Sequence, residues 1–232
     1  MPMNNSTTGW PAPPAACTEP VPARYWGVWS RRLLETAQMR DTTTLVRWMQ
    51  LGQWHADLRV PVATDAPLQG FSGTTKVTQV GGQEMCTWQR LVDYQPPRAT
   101  VDEGWMVFKT PEQVVETGIH GVYYEVWDRL PGSTGRRIAL AEPMRSDGRP
   151  SARLFVSGGY LMRVRPVDPL GPAFEISFGQ FANGEFSIEA STISKLTGTC
   201  TALSMSRVNE SVADVGMGSE TRPWGILEWE EP

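Results

Sequence analysis

The sequence predicts an all-β protein: two tandem antiparallel lipocalin-like β-barrels with little helix. Two observations predict it. From Arg24 onward the chain breaks into short runs rich in Val, Thr, Trp, Tyr and Phe, each bounded by Gly, Pro, Asp or Asn, at the spacing of a barrel or sandwich. Within the runs apolar and polar residues alternate, so successive side chains fall on opposite strand faces. At 232 residues the chain suits one large domain or two small ones.

Residues 1–22 hold six of the 19 prolines and no periodic apolar pattern, which predicts a disordered Pro-rich arm outside the core. The predicted strands then follow in order: 25–35, 43–51, 54–62, 85–95, 105–109, 113–117, 122–130, 136–141, 153–167, 174–181, 185–192 and 224–230. In the third, Trp54, Ala56, Leu58 and Val60 fall on one face and His55, Asp57 and Arg59 on the other. Phe174, Ile176 and Phe178 lie opposite Glu175 and Ser177 in the same way. Asn183-Gly184 between two such runs is a strong hairpin signal, because both central residues of a type I′ turn need φ > 0.

Thr110-Pro111-Glu112-Gln113 could open a short helix. The β-branched Val114, Val115 and Thr117 favour strand–turn–strand instead. The polar stretch 194–222 is the least legible and reads as a long loop with a short helix around 202–208. Tyr25 to Arg31 and Tyr124 to Arg129 place an aromatic, a Val, a Trp and an Arg in the same order about one hundred residues apart, which suggests duplication. The domains expected are an N-terminal barrel over 23–118 and a C-terminal barrel over 119–232.

A formal charge of −4 without any Lys/Arg run argues against nucleic acid and anionic membrane as partners. No apolar stretch is long enough to span a bilayer as a helix and the first residues lack a leader pattern, so a soluble, cytoplasmic protein is expected. Cys17, Cys86 and Cys200 are odd in number and far apart, which fits reduced thiols. With two histidines and no Cys-x-x-Cys, the usual zinc sites are disfavoured. Dinucleotide, Walker and Gly-x-Ser-x-Gly motifs are missing too, so no cofactor is expected.

The order of runs resembles a two-domain lipocalin-like (calycin-type) family typified by a small casein-kinase-interacting yeast protein of unassigned activity. The residues that carry the likeness are Glu116-Thr117-Gly118, Tyr124-Glu125-Val126-Trp127, Leu154 to Leu161, Phe174 to Gly179 and Trp224 to Trp229. The first half is similar to uncharacterised bacterial proteins through Asp41 to Thr44, Trp48-Met49-Gln50, Ala56 to Pro61, Cys86-Thr87-Trp88 and Asp93 to Pro97. The resemblance implies two calycin-type barrels and transfers no reaction.

Seven tryptophans, Trp26, Trp29, Trp48, Trp54, Trp88, Trp105 and Trp127, sit on predicted strands. They could line a ligand cavity or, the plainer reading, plug the barrels, whose interiors are normally filled. His55, Asp57 and Arg59 share a strand face at about 6–7 Å intervals. If that face is the lumen, Arg59 could take a carboxylate and Asp57 could set the histidine's tautomer; the plainer reading is a solvated outer face. His120 and Glu125 form a candidate acid–base pair at the proposed domain junction, against an ordinary surface reading. Arg163 and Arg165 share parity with Leu161 and Phe155, a conflict that a buried anion or an inter-domain salt bridge would resolve; for Arg165, near Pro166, the plainer reading is solvent at the strand end. Arg47 shares parity with Leu45, Met49 and Leu51.

The function expected is a lipocalin-like binding protein for a small hydrophobic or aromatic ligand, an acid among the candidates, held by Trp29, Arg47, Trp48, Arg59, Trp88, Tyr94 and Trp127. A rival is a cofactor-independent lyase, isomerase or cyclase using His55, Asp57, His120 and Glu125. A third is a protein-interaction module. Association as a homodimer is left open.

Overall fold

The computed structural model describes residues 20–62, 68–93, 101–143, 151–167 and 174–231. After a 3₁₀ turn at Ala23–Tyr25 come β1 (Gly27–Thr36), β2 (Arg40–Asp41), β3 (Leu45–Leu51), β4 (Trp54–Val60), β5 (Gln69–Val80), β6 (Gln83–Asp93), β7 (Asp102–Thr110), β8 (Gln113–Gly118) and β9 (Tyr123–Arg129). Each long strand pairs antiparallel with the next, and β9 returns to β1 with Trp29 opposite Arg129 and Thr36 opposite Tyr123. That pairing closes an N-barrel. Next come β10 (Arg137–Ala141), β11 (Arg153–Ser157), β12 (Tyr160–Pro166), β13 (Phe174–Ala182), β14 (Glu185–Ser191), β15 (Cys200–Arg207), β16 (Val212–Met217) and β17 (Glu220–Glu230). β17 pairs with β10 and closes a C-barrel. The all-β, two-barrel expectation holds.

Several boundaries move. The first barrel closes only with β9, so the junction lies between Arg129 and Arg137 rather than at 118/119. The two halves of the apparent repeat are therefore neighbouring strands of one barrel, with Arg31 opposite Trp127. Residues 1–19 of the expected arm lie outside the described residues, whereas Val21 is buried in the N-barrel core. The run 153–167 is a hairpin turning at Gly158, where φ is +55° and a Cβ would meet Gly132 O at 2.0 Å. The helix expected around 202–208 is strand β15. Residues 111–112 turn between β7 and β8 as expected, and Asn183 and Gly184 take φ values of 53° and 74°.

Apolar side chains form three clusters. One fills the N-barrel around Tyr25, Trp29, Trp48, Trp88, Met106 and Trp127. A second fills the C-barrel around Leu154, Leu161, Phe186, Val215 and Trp224. The third lies between the barrels, where Met49, Leu51, Trp54, Ala56 and Leu58 meet Phe155, Val164, Ile176 and Phe178. The contact is close: a Cβ at Gly70 of β5 would stand 2.6 Å from Ile176 Cδ1. In consequence the apolar face of β4 leaves its own barrel to cover the next one. The face carrying His55 and Asp57 turns into the N-barrel lumen, paired across the ladder with Gln50 and Trp48.

Candidate functional site

The N-barrel lumen is plugged at one end and charged at the other. Trp48 is the hub of the plug, with ring centroids 6.2 Å from Trp29, 5.6 Å from Trp88 and 5.8 Å from Trp127. Trp29 is fully buried and its indole N–H donates to Tyr25 O at 2.7 Å. Above the rings a cavity of about 20 Å³ remains, walled by Trp48, Trp88, Trp127, Asp57, Arg59 and Glu116 among others. That is room for about one water. Four of the expected ligand residues, Trp48, Arg59, Trp88 and Trp127, thus converge, but mainly as filling.

The solvated outer face expected for His55, Asp57 and Arg59 is corrected by this geometry. Arg59 Nε donates to Asp57 Oδ1 at 2.8 Å, an ion pair along one strand. His55 makes no bond to Asp57. Gln50 donates its amide to Gly52 O and Trp54 O, so its Oε1 takes the Thr75 hydroxyl at 2.7 Å. The Thr75 oxygen therefore accepts from His55 Nδ1–H at 3.0 Å, and the tautomer is set by threonine. Burial, aided by the charges of Arg90 and Arg153, brings the His55 pKa down to about 3. A histidine held neutral in this way is a structural donor and a poor general acid near neutrality.

The pKa gives a prediction. Because the folded value lies below the unfolded one of about 6.5, the stability that His55 supplies is present in full above that unfolded value. It is lost progressively as pH falls from there toward the folded value. The His55 ring resonances should stay flat across about pH 4.5–8 in the folded protein; a midpoint near the free-histidine value would contradict the assigned geometry.

His120 and Glu125 do not meet as an acid–base pair. His120 is half-exposed and reaches Glu103 at 3.1 Å, whereas Glu125 faces the lumen and accepts from Arg31 Nη1 at 2.9 Å. The carboxyl that sequence reasoning missed is Glu116, directly across the ladder from Glu125 and accepting the Tyr123 hydroxyl at 2.6 Å. Burial first, and the charge of Glu125 second, push the Glu116 carboxyl well above its ordinary range. Glu125 is raised by burial as well, against Arg59 and Arg31. Glu116, which accepts from a phenol where Glu125 accepts from a guanidinium, is the more strongly raised of the two. Glu116 shares strand parity with buried Val114, and Glu125 with buried Trp127. A carboxylate on an apolar parity was the available signal.

Arg47 lies on the outer face toward the C-barrel, with Cζ 5.6 Å from the Phe178 ring and Nη1 donating to Ser30 at 2.6 Å. It is no lumen residue. Tyr94 lies outside the described residues. Cys86 is fully buried and burial pushes its thiol up, as suits an inert packed thiol.

The C-barrel differs. A cavity of about 530 Å³ opens at its mouth, with Leu196, Val215, Met217 and Trp224 as apolar lining and Arg163, Arg165 and Arg222 among its polar residues. Arg163 donates through Nε and Nη2 to Glu175 Oε1 at 2.8 and 2.5 Å, Arg165 donates to Oε2, and Ser177 adds a bond of 2.7 Å. Burial alone would raise the Glu175 carboxyl, but Arg163, Ser177 and Arg165 together hold it below its ordinary range. Two guanidiniums share one carboxylate, so this trio carries a surplus positive charge. The parity conflict at Arg163 is resolved by an ion pair within the C-barrel, between neighbouring strands, rather than by a salt bridge between domains. The Trp224 indole N–H, among the described residues, has no partner.

Among the described residues, no helix is long and apolar enough to cross a membrane. Neither a protein-family model nor a curated protein sequence matches the chain. The fold is similar to the crystal structure of an uncharacterised protein, YLR301w, from Saccharomyces cerevisiae, with a TM-score of 0.61 at 15% identity over 88% of this chain and 98% of that one. At that identity the likeness concerns the fold, and it agrees with two eight-stranded barrels in tandem.

Proposed function

We propose that the protein is a lipocalin-like binding protein whose C-barrel takes a small molecule with a hydrophobic or aromatic body and an acidic head. The observation that carries this reading is the cavity of about 530 Å³, a volume typical of small-molecule pockets, which run from roughly 300 to 1,000 Å³. Apolar side chains receive the body, and the Arg163–Glu175–Arg165 trio supplies the surplus cation for the head. The N-barrel, with space for a water, acts as the rigid partner. The expected ligand class is retained and its seat moves from the first barrel to the second. The enzymatic alternative keeps one observation in its favour, the Tyr123–Glu116 hydrogen bond beside a cavity.

Trp224 lines the cavity, so its emission reports occupancy. Titration with 2-naphthoate should quench intrinsic fluorescence saturably, and Trp224→Phe should remove most of that change. Arg165→Ala, which alters a half-exposed side chain, should weaken the acid about tenfold while leaving the uncharged 2-naphthamide unaffected. A flat response to both compounds, or quenching that survives Trp224→Phe and disappears in Trp88→Phe, would sink the assignment.

A further inference from the structure

Taking the C-barrel reading as the basis, we propose that its ligand is a zwitterion, an α-amino acid with a large apolar side chain, whose carboxylate meets Arg165 and Arg163 and whose ammonium meets Glu142. Glu142 and Ala152 extend the β10–β11 ladder by one pair, with Glu142 N donating to Ala152 O at 2.9 Å. The register that sets Arg153 against Val164 and Arg165 against Glu175 carries the same row on through β12 and β13. Glu142, Ala152 and Arg165 all line the cavity. A carboxylate and a guanidinium therefore flank an alanine floor. At two strand spacings they stand about 10 Å apart at the backbone, which two charge-assisted hydrogen bonds of about 2.8 Å each and the short span of a single α-carbon would fill.

Charge selects a zwitterion over a plain acid. Arg163 and Arg165 share the carboxylate of Glu175, and Arg222 pairs with Glu220 at 2.6 Å. One positive charge is left at the trio and one negative charge at Glu142, which has no cationic partner among the described residues. The Ala152 N–H reaches Glu142 Oε2 at 3.4 Å, which steadies that carboxylate without neutralising it. An acid lacking an ammonium would answer the first charge and sit beside the second unpaired, a built-in penalty against it. Leu196, Val215, Met217 and Trp224 receive the side chain, and a cavity of about 530 Å³ has room for a fused aromatic ring.

The test compares two probes with one body, L-3-(2-naphthyl)alanine and 3-(2-naphthyl)propanoate, the second lacking only the ammonium, in calorimetric titrations of the full chain at neutral pH. The amino acid should bind about tenfold tighter. Glu142→Gln, which keeps the size of the side chain and removes its charge, should bring the amino acid down to the level of the propanoate without weakening the propanoate. Equal affinities in the unaltered chain, or tighter binding of the propanoate, would overturn the zwitterion while leaving an acid-binding pocket in place, and that comparison needs no variant. A Glu142→Gln change that weakens both probes equally would overturn it too. If neither probe binds, the pocket itself is refuted and the zwitterion with it.

Discussion

Ile176→Asp should unfold both barrels in a single transition, and Ile176→Ala should lower the stability of the whole chain by about 2–5 kcal/mol. Ile176 is fully buried on the outer face of β13, in the cluster shared by the two barrels. Its Cδ1 lies so near Gly70 of β5 that no Cβ fits there. Alanine leaves a cavity with barrel walls on both sides, and aspartate puts an unpaired carboxylate into it. Against a typical total of about 5–15 kcal/mol, either loss is large. The check is urea unfolding followed by tryptophan fluorescence, dominated by the N-barrel plug, together with a probe attached to Cys200, which is exposed on the C-barrel. Coincident midpoints shifted together are expected. Two separate transitions, with the N-barrel unmoved by Ile176→Ala, would show that the interface does not couple the barrels.

The second large effect is expected at Glu175. It is wholly buried and ties together Arg163, Arg165 and Ser177. Glu175→Ala strands the Arg163 guanidinium, whose side chain is 7% exposed, and should cost about 3–5 kcal/mol. Arg165→Ala should cost far less, since that side chain is 43% exposed and water already screens it. The paired replacement Arg163→Met with Glu175→Leu should recover most of the loss, because an apolar pair of similar volume avoids desolvating charge. The folded carboxyl of Glu175 lies below its unfolded value of about 4.3. Its stabilisation is thus complete above that unfolded value and disappears as pH falls through the lower folded one. A Glu175→Ala penalty under about 1 kcal/mol in urea unfolding would contradict a buried trio of this kind.

What the sequence made legible was period and punctuation. Alternation identified β4, β13 and β14, and Asn183-Gly184 located their tightest turn. Period alone could not say which face is lumen. The outer face of β4 is as dry as the interior, because Trp54, Ala56 and Leu58 lie against a second barrel. β5 escaped notice for a related reason: Ser72, Gly73, Thr74 and Thr75 are buried without being apolar, Thr75 on the lumen side, where it bonds Gln50, and Ser72 opposite Ala56 on the side toward the second barrel, where its hydroxyl bonds His55 O. β15 was hidden by an exposed wall, with Cys200, Ala202, Ser204 and Arg207 all facing solvent.

The sites were half legible. Tryptophan content pointed to the N-barrel lumen, and Trp48, Trp88 and Trp127 do gather there with Asp57 and Arg59. The roomier cavity is assembled from Arg163 and Arg165, which parity had flagged, and from Leu196, Val215, Met217 and Arg222, which lie in the stretch that read as loop. A strand that is polar outside and sparsely apolar inside leaves little periodic trace. Ring closure, which joins β17 to β10 across the whole domain, is not a local property of any run.

The most direct measurement is a crystal structure of the full chain with 2-naphthoate. The naphthalene is expected against Val215, Met217 and Trp224 with its carboxylate at Arg163 and Arg165, and the N-barrel rings where they stand. Density for the naphthalene among Trp48, Trp88 and Trp127, or on the outside of both barrels, would contradict it.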